Sequence, residues 1–202
     1  MPVTSAVPPS FDASEGAAME LTTDRLRLRQ WRPEDREPFA TMNADPVVMR
    51  YFPAPLDRAA SDAFADRNEA GIARRGWGLW AVELRSTGEF AGFVGLQPVP
   101  PAMPFAPAVE IGWRLAAAQH GHGYATEGAR LVRDHASGVL GMVEIVSFTT
   151  AANAPSRRVM AKLGMTHDPA EDFDHPGVDP SWPGRRHVLY RLAVPLSPGS
   201  AV

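Results

Sequence analysis

The stretch QHGHGYATEG, residues 119–128, spaces glycine and histidine in a way that could bind an anion. Glycine has no Cβ, so the backbone N–H groups around Gly121 and Gly123 could approach a phosphate closely. The stretch follows an apolar run and precedes a segment with helical spacing, and a helix that begins there would add the positive end of its dipole. The alternative is a glycine turn that only caps the helix. Both interpretations fit the stretch alone.

Two known phosphate-binding patterns do not fit this loop. A P-loop requires Gly-Lys-Ser/Thr, which does not follow here. The dinucleotide fingerprint requires Gly or Ala three residues after Gly123, where this chain has Thr126. The sequence therefore disfavours a nucleotide-dependent oxidoreductase.

The histidines raise the question of a metal site. His120 and His122 form a His-x-His pair, and the remaining histidines are His135, His167, His175 and His187. No carboxylate stands in a recognised spacing with them, and the sequence contains no cysteine. We expect solvent-facing loop histidines and no metal.

The amino-acid composition excludes several classes of protein. The 202 residues are 45% hydrophobic and carry a formal net charge of −3, which favours one core and disfavours direct nucleic-acid binding. The absence of cysteine excludes disulfides and thiolate nucleophiles, and no apolar run approaches the roughly 20 residues of a membrane span. We expect a cytoplasmic protein that does not bind membranes, as a monomer or a homodimer.

The elements that must position the loop follow from hydrophobic patterning. Residues 1–20, rich in Pro, Ser and Ala, are predicted to form a tail, residues 21–196 a single domain, and residues 197–202 a short second tail. Arginines alternate with Leu26 and Leu28, which predicts a first strand with its arginines in solvent and its leucines packed.

The remaining elements follow in a fixed order. Helices are predicted from Pro33 and over residues 57–73, then a hairpin that turns at residues 86–88 and a strand over about 108–115. After the glycine loop come a helix, a strand over about 143–150, a helix that Asn153 caps, and a last strand, RRHVLYRLAV. This order predicts a mixed α/β fold with a largely antiparallel beginning.

Residues 120–125, HGHGYA, resemble the pyrophosphate loop Arg/Gln-x-x-Gly-x-Gly/Ala of the GNAT acyl-CoA N-acyltransferases, with His120 where that family often has Arg or Gln. The later stretch NAPSRRVMAKLG is similar to the Rim-type branch of that family, the RimJ/RimL-like ribosomal-protein N-terminal acetyltransferases. The stretches DPVVMRYFP and WAVELRSTGEFAGFVGL resemble the same branch. The matching positions of the later stretch are Asn153, Ser156, Val159, Lys162, Leu163 and Gly164.

The resemblance implies the GNAT fold, a mixed central sheet flanked by helices in which two parallel strands splay apart. It also implies that acetyl-CoA is the cosubstrate, with its pantetheine arm in the gap between these strands and its pyrophosphate on the glycine loop. The implied cofactor-binding residues are Trp113, Arg114, Leu115, His120, Gly121, His122, Gly123, Tyr124, Ala125, Thr126, Asn153 and Ser156.

Two residues are the implied catalytic groups. Glu110 corresponds to a glutamate that many relatives place beside the acceptor, where it would act as a base through water. Met160 stands where many relatives have a tyrosine and cannot donate a proton, so the resemblance assigns Ser156 to protonate or position the thiol. The alternatives are a solvated or salt-bridged Glu110, a Ser156 bonded to backbone, and an Asn153 that only caps its helix.

The implied reaction is direct transfer of acetyl to a primary amine in a ternary complex. An α-amine with a pKa near 8 is easier to deprotonate than lysine by roughly 3 kcal/mol, so a protein N-terminus is the first expectation. A small polyamine-like or antibiotic-like amine, and a non-catalytic acyl-CoA sensor, are the alternatives. A run of acidic residues would favour a cationic acceptor. These residues are Asp168, Glu171, Asp172, Asp174 and Asp179.

Overall fold

The computed structural model describes residues 20–193. The tails predicted for residues 1–20 and 197–202 lie outside the described residues, apart from Glu20. None of the helices in the described part is long and apolar enough to cross a membrane.

One mixed sheet contains the strands of the described part of the chain. Its order is β1-β2-β3-β4-β5-β6-β9-β7, and β8 also pairs with β9. The pairing of β5 with β6 is parallel and the other pairings are antiparallel, so the predicted mixed α/β fold is confirmed. The strands are β1 (Leu21–Thr22), β2 (Leu26–Arg29), β3 (Leu79–Leu84), β4 (Phe90–Pro98), β5 (Val109–Leu115), β6 (Glu144–Thr150), β7 (Thr166–His167), β8 (Phe173–Asp174) and β9 (Arg186–Ala193).

Helices cover both faces of the sheet. On β4, Phe93 packs against Phe39 of α1, whereas the next residue, Val94, lies against Gly128 of α3. Successive strand residues point to opposite faces, so α1 and α3 lie on opposite sides. The helices are α1 (Arg36–Ala44), α2 (Arg58–Arg75), α3 (Tyr124–Gly138) and α4 (Ala154–Lys162).

The predicted helix ends follow their local chemistry. Asp57 caps α2 through the amide of Ala60, and Gly76 ends it with φ of 75°. The Asn153 side chain accepts a hydrogen bond from the amide of Ser156 and caps α4 as predicted. The short strands β1, β7 and β8 were not predicted, because two residues show no periodicity.

Strands β5 and β6 are paired at one position only, Glu110 opposite Val146. Beyond this pair, β5 continues to Leu115 and β6 to Thr150 without further pairing to each other. The predicted pair of splayed parallel strands is therefore present at the centre of the sheet.

The prediction that the arginines of the first strand face solvent was wrong for Arg29, which is 3% exposed. Its Nη1 and Nη2 donate to the Asp35 carboxylate at 2.7 and 2.8 Å, and its Nε donates to Glu83 at 2.7 Å. Two carboxylates compensate the buried charge and raise the pKa of Arg29 against the effect of burial. These bonds join β2, β3 and the segment that leads into α1.

We expect Arg29→Met to lower the free energy of unfolding by roughly 3–5 kcal/mol, because it leaves the buried Asp35 carboxylate without its cation and removes the most buried of the three arginines around Glu83. Urea denaturation measures this change. Arg58→Met is the control, since Arg58 makes its ion pairs with Glu37 and Asp62 at the surface and its loss should change stability little. Equal effects of the two substitutions would contradict this account of the Arg29 cluster.

Candidate active site

The unpaired edge of β5 faces the gap between β5 and β6. Trp113, Arg114 and Leu115 pair with Val94, Phe93 and Gly92 of β4 along one edge only. Their other edge has no partner in β6, whose pairing stops at Glu110. An extended molecule could add to this edge as another strand would.

The glycine loop lies just beyond the end of β5. Gly121 and Gly123 have φ of 81° and 82°, a left-handed conformation that favours glycine. The amides of residues 121–123 donate to no acceptor in the described part of the chain, and α3 begins immediately afterwards at Tyr124. A Cβ at Gly121 would have no atom within 4 Å, so the approach to these amides is open. The loop fits a pyrophosphate.

His120 is held against the strand. Its Nε2 lies 3.0 Å from the carbonyl oxygen of Leu115, so that ring nitrogen is engaged within the protein. His122 is exposed and stacks on Tyr124, with 5.6 Å between ring centroids. The backbone amides of the loop are free to meet an anion, whereas one of the two ring nitrogens of His120 is already engaged.

Arg25 braces the loop, a role that its place in the sequence did not predict. It donates to the carbonyl of His122 at 3.1 Å and to Glu127 at 2.7 Å, and its guanidinium lies 4.7 Å from the Tyr124 ring centroid. Alternation indicated only that Arg25 faces away from the packed leucines. Its partners lie about a hundred residues away in the sequence, so no local signal could have revealed them.

A groove of about 630 Å³ adjoins this loop. It begins at Gly123 and Thr126 and is lined by the cations Arg25, Arg130 and Lys162 together with the carboxylates Glu127 and Asp134. Glu127 is already paired with Arg25. Arg130 and Lys162 could therefore meet further anionic groups of a ligand held at the loop. Neither had been predicted to bind the cofactor.

Glu110 lies at the point where β5 and β6 part. It is 9% exposed, accepts a 2.7 Å hydrogen bond from Gln97 Nε2, and has no cation as a partner in residues 20–193. Burial raises the pKa of Glu110 to about 7. The expected alternative, a solvated or salt-bridged glutamate, is not what the structure contains. A carboxyl with this pKa can exchange protons near neutral pH.

Ser156 and Asn153 lie at the start of α4, beside the end of β6. The Asn153 side chain caps the helix and also donates to Thr149 Oγ1 at 2.9 Å. Ser156 is half-buried, and its hydroxyl makes no hydrogen bond with the described residues. Met160 is fully buried in the core. Thus Asn153 has a structural role, while the Ser156 hydroxyl is available to a ligand.

Arginines neutralise part of the acidic segment. Asp174 pairs with Arg185 and Arg186, and Glu171 pairs with Arg191. The sequence indicated an uncompensated acidic run because these arginines follow it, some of them by many residues. The fold brings them back beside two of the five carboxylates, so the run carries less uncompensated charge than the sequence indicates, although Asp168 and Asp179 pair with no arginine of residues 20–193.

Two histidines correct the prediction that all six lie in solvent-facing loops. His135 of α3 is 6% exposed and packs on Trp80, and His187 of β9 is 8% exposed. Burial lowers the pKa of both. Within residues 20–193, no group of three or more His, Cys, Asp or Glu side chains is placed to hold a metal ion.

Residues 25–166 match the family model described as an acetyltransferase (GNAT) domain. The chain belongs to the GNAT acetyltransferase family. It is an acetyl-CoA-dependent N-acetyltransferase with the mixed α/β fold of that family.

Two curated relatives and one solved structure show the extent of similarity. "Uncharacterized protein YkkB" of Bacillus subtilis is 32% identical over 74% of this chain and 86% of its own. "FsC-acetyl coenzyme A-N(2)-transacetylase" of Aspergillus fumigatus is 34% identical over 73% of this chain and 65% of its own. "RimL- Ribosomal L7/L12 alpha-N-protein acetyltransferase in complex with Coenzyme A" has a TM-score of 0.70 at 13% identity, covering 87% of this chain and 98% of its own, and shows the same fold.

We expect Arg25→Gln to weaken acetyl-CoA binding about 3- to 10-fold, because the loop loses the guanidinium that holds the His122 carbonyl and Glu127. Calorimetric titration with coenzyme A measures the Kd. Arg58→Gln is the matched control, since Arg58 is distant from the loop and also pairs with carboxylates. An unchanged Kd in Arg25→Gln would show that the loop keeps its shape without this brace.

Proposed function

We propose that the enzyme transfers acetyl from acetyl-CoA directly to a primary amine in a ternary complex, with Glu110 as the general base. The observation that carries this proposal is a carboxyl with a pKa raised to about 7, buried where the two parallel strands part. In this position it would receive a proton from an amine that attacks a thioester held in the gap.

The proposed binding of acetyl-CoA uses the backbone more than side chains. The free edge at residues 113–115 pairs with the pantetheine arm, and the amides of residues 121–126 receive the pyrophosphate at the start of α3. Arg130 and Lys162 meet the nucleotide end. Support comes from the single β5–β6 pair and from the unpaired amides of the glycine loop.

The proposed reaction needs two side chains for its proton transfers, Glu110 and Ser156. The neutral amine attacks the thioester carbonyl, the C–S bond breaks, and the proton lost from nitrogen passes to Glu110 directly or through water. The Ser156 hydroxyl donates a proton to the leaving thiolate and regains one from solvent. An acyl-cysteine intermediate is excluded because the chain has no cysteine, which favours the proposed direct attack.

The proposed acceptor is an α-amine, since its lower pKa suits a base near 7. Similarity of residues 153–164 to the Rim-type branch favours the N-terminus of a protein. The relative named FsC-acetyl coenzyme A-N(2)-transacetylase favours a small-molecule amine as the second candidate. Selection of cationic acceptors by the acidic segment stays a prediction, since arginines pair with only Asp174 and Glu171 of its five acidic residues.

We expect Glu110→Gln to lower kcat/KM about 100-fold, because glutamine keeps the hydrogen bond from Gln97 but cannot accept a proton. The wild-type rate should rise with pH through about 7 as Glu110 deprotonates, and this limb should disappear in the variant. Steady-state kinetics over pH 5.5–9 measures both. Glu144→Gln, an exposed β6 glutamate paired with Arg191, is the control. If the rate of Glu110→Gln still rises with pH near 7, the titrating group is not Glu110.

Stability separates a catalytic from a structural effect of the same substitution. The pKa of Glu110 is raised in the folded state from 4.5 to about 7, so wild-type stability falls as pH rises between these values. Glu110→Gln carries no such charge. Its thermal unfolding temperature should therefore exceed that of the wild type at pH 8 and equal it below pH 4.5. A destabilised variant at pH 8 would indicate that its low activity comes from misfolding.

We expect Ser156→Ala to lower kcat about 10-fold with little change in the Kd of coenzyme A, because the cap from Asn153 uses the backbone amide, which alanine retains. Ser156→Thr, which keeps the hydroxyl, should restore part of kcat, and Ser137→Ala is the control on α3. Unchanged kcat in Ser156→Ala would show that Ser156 is a structural residue of the first turn of α4 and takes no part in catalysis.

A further inference from the structure

The Arg114 side chain lies on the same face of β5 as the proposed base. Residues 110, 112 and 114 alternate along the strand, so Glu110, Gly112 and Arg114 point to one side of the sheet. On this side the neighbour of Arg114 across the sheet, Phe93, packs against Phe39 and Phe64 of α1 and α2. The guanidinium therefore lies on the side of the sheet from which an amine would reach Glu110.

The charge of Arg114 is not compensated within the described part of the chain. Its Nη1 donates to Asn43 Oδ1 at 2.7 Å, and Asn43 in turn donates to Ser61 at 2.9 Å. Its Nε is buried without a hydrogen-bond partner, and no carboxylate of residues 20–193 pairs with the group. Burial lowers the pKa of Arg114 to about 10, so it remains a cation at neutral pH.

Aromatic rings surround this cation without neutralising it. The guanidinium carbon lies 4.3 Å from the ring centroid of Phe52, 5.5 Å from that of Phe93 and 5.7 Å from that of Phe64. Such contacts contribute about 0.5–2 kcal/mol each, less than the cost of removing a cation from water. Arg29, the other buried arginine described above, has two carboxylates. The contrast marks Arg114 as a cation that lacks its anion.

No side chain of β5 separates Arg114 from Glu110 on this face, because Gly112 stands between them. A Cβ added at Gly112 would meet only Glu110 Oε1 at 3.8 Å and Leu79 Cδ2 at 4.0 Å, both at ordinary contact distance, so the surface of the strand at Gly112 is not crowded. Phe52, the ring nearest the guanidinium, is 38% exposed, and Arg114 keeps part of its own surface exposed. A molecule whose amine reaches Glu110 could extend along β5 toward Arg114.

We propose that Arg114 binds a carboxylate of the acceptor, so that the preferred substrates are amines that carry a carboxylate. This inference rests on the proposed acetyl transfer to an amine. Arg114 and Glu110 are four residues apart on a strand, so their Cα atoms lie about 13 Å apart. The side chains shorten the distance that a ligand has to span between the two charged groups. A short peptide matches this span, with its α-amine at Glu110 and its carboxylate at the guanidinium, the geometry that arginine recognises well.

The test compares acceptors that differ only in charge. The peptides Ser-Ala, Ser-Ala-Ala and Ser-Ala-Ala-Ala are each assayed as the free acid and as the C-terminal amide. We expect the wild type to prefer the acid by at least 10-fold in kcat/KM at one or more lengths. Arg114→Met should bring that ratio close to one, and Arg114→Lys should leave an intermediate ratio. A wild-type ratio near one at every length, or an unchanged ratio in Arg114→Met, would overturn the proposal.

A matched control separates local binding from general charge. Arg36→Met also removes a cation on this side of the sheet, but Arg36 already pairs with Asp66 and Glu69. We expect the acid-to-amide ratio to stay at the wild-type value in this variant. A loss equal to that in Arg114→Met would attribute the preference to overall charge and overturn the role of Arg114.

Binding measurements keep this inference separate from the proposed function. If the wild type acetylates no amine, the proposed function fails, and calorimetry of the same peptide pairs with the coenzyme A-saturated protein still tests Arg114. Tighter binding of the acid by the wild type, lost in Arg114→Met, supports the site, whereas equal binding of acid and amide contradicts it. Thermal unfolding and the Kd of coenzyme A verify that each variant is folded, and Arg114→Lys replaces Arg114→Met if the latter is not.

Discussion

The parting of β5 and β6 after one pair is the constraint on which the rest of the site depends. Strands in a sheet normally satisfy each other's backbone groups, so two adjacent strands that stop pairing leave an unpaired edge at the centre of the molecule. That edge, the glycine loop that follows β5, and the helix that follows the loop are consecutive in the chain. One break in pairing thus sets the position of the proposed cofactor site and of Glu110 beside it.

Three buried charged groups of this fold differ in what compensates them. Arg29 has two carboxylates and stabilises the join between β2, β3 and the segment that leads into α1. Glu110 has only an amide as its partner, and burial raises its pKa to about 7. Arg114 has an amide and three aromatic rings. The well-compensated group lies in the scaffold, and the two poorly compensated groups lie on one face of β5, where the acceptor is proposed to bind.

Sequence was sufficient for the features that local patterns specify. Hydrophobic alternation, Asn153 as a cap and the spacing of Gly121 and Gly123 predicted the order of the long elements, and the motifs led to the family. It was insufficient where distant residues meet. The burial of Arg29 and His187, the brace from Arg25 to the glycine loop, and the partial neutralisation of the acidic segment by Arg185 and Arg191 depend on pairings between separate elements. The unpaired state of Arg114 depends in the same way on which carboxylates the fold brings near it.

The most direct test of the central claim is a crystal structure of the protein with coenzyme A. The account predicts that the pantetheine arm makes main-chain hydrogen bonds to residues 113–115 in the gap between β5 and β6, with the pyrophosphate on the amides of residues 121–126. A ligand bound elsewhere, or β5 and β6 paired continuously beyond Glu110 and Val146, would contradict it.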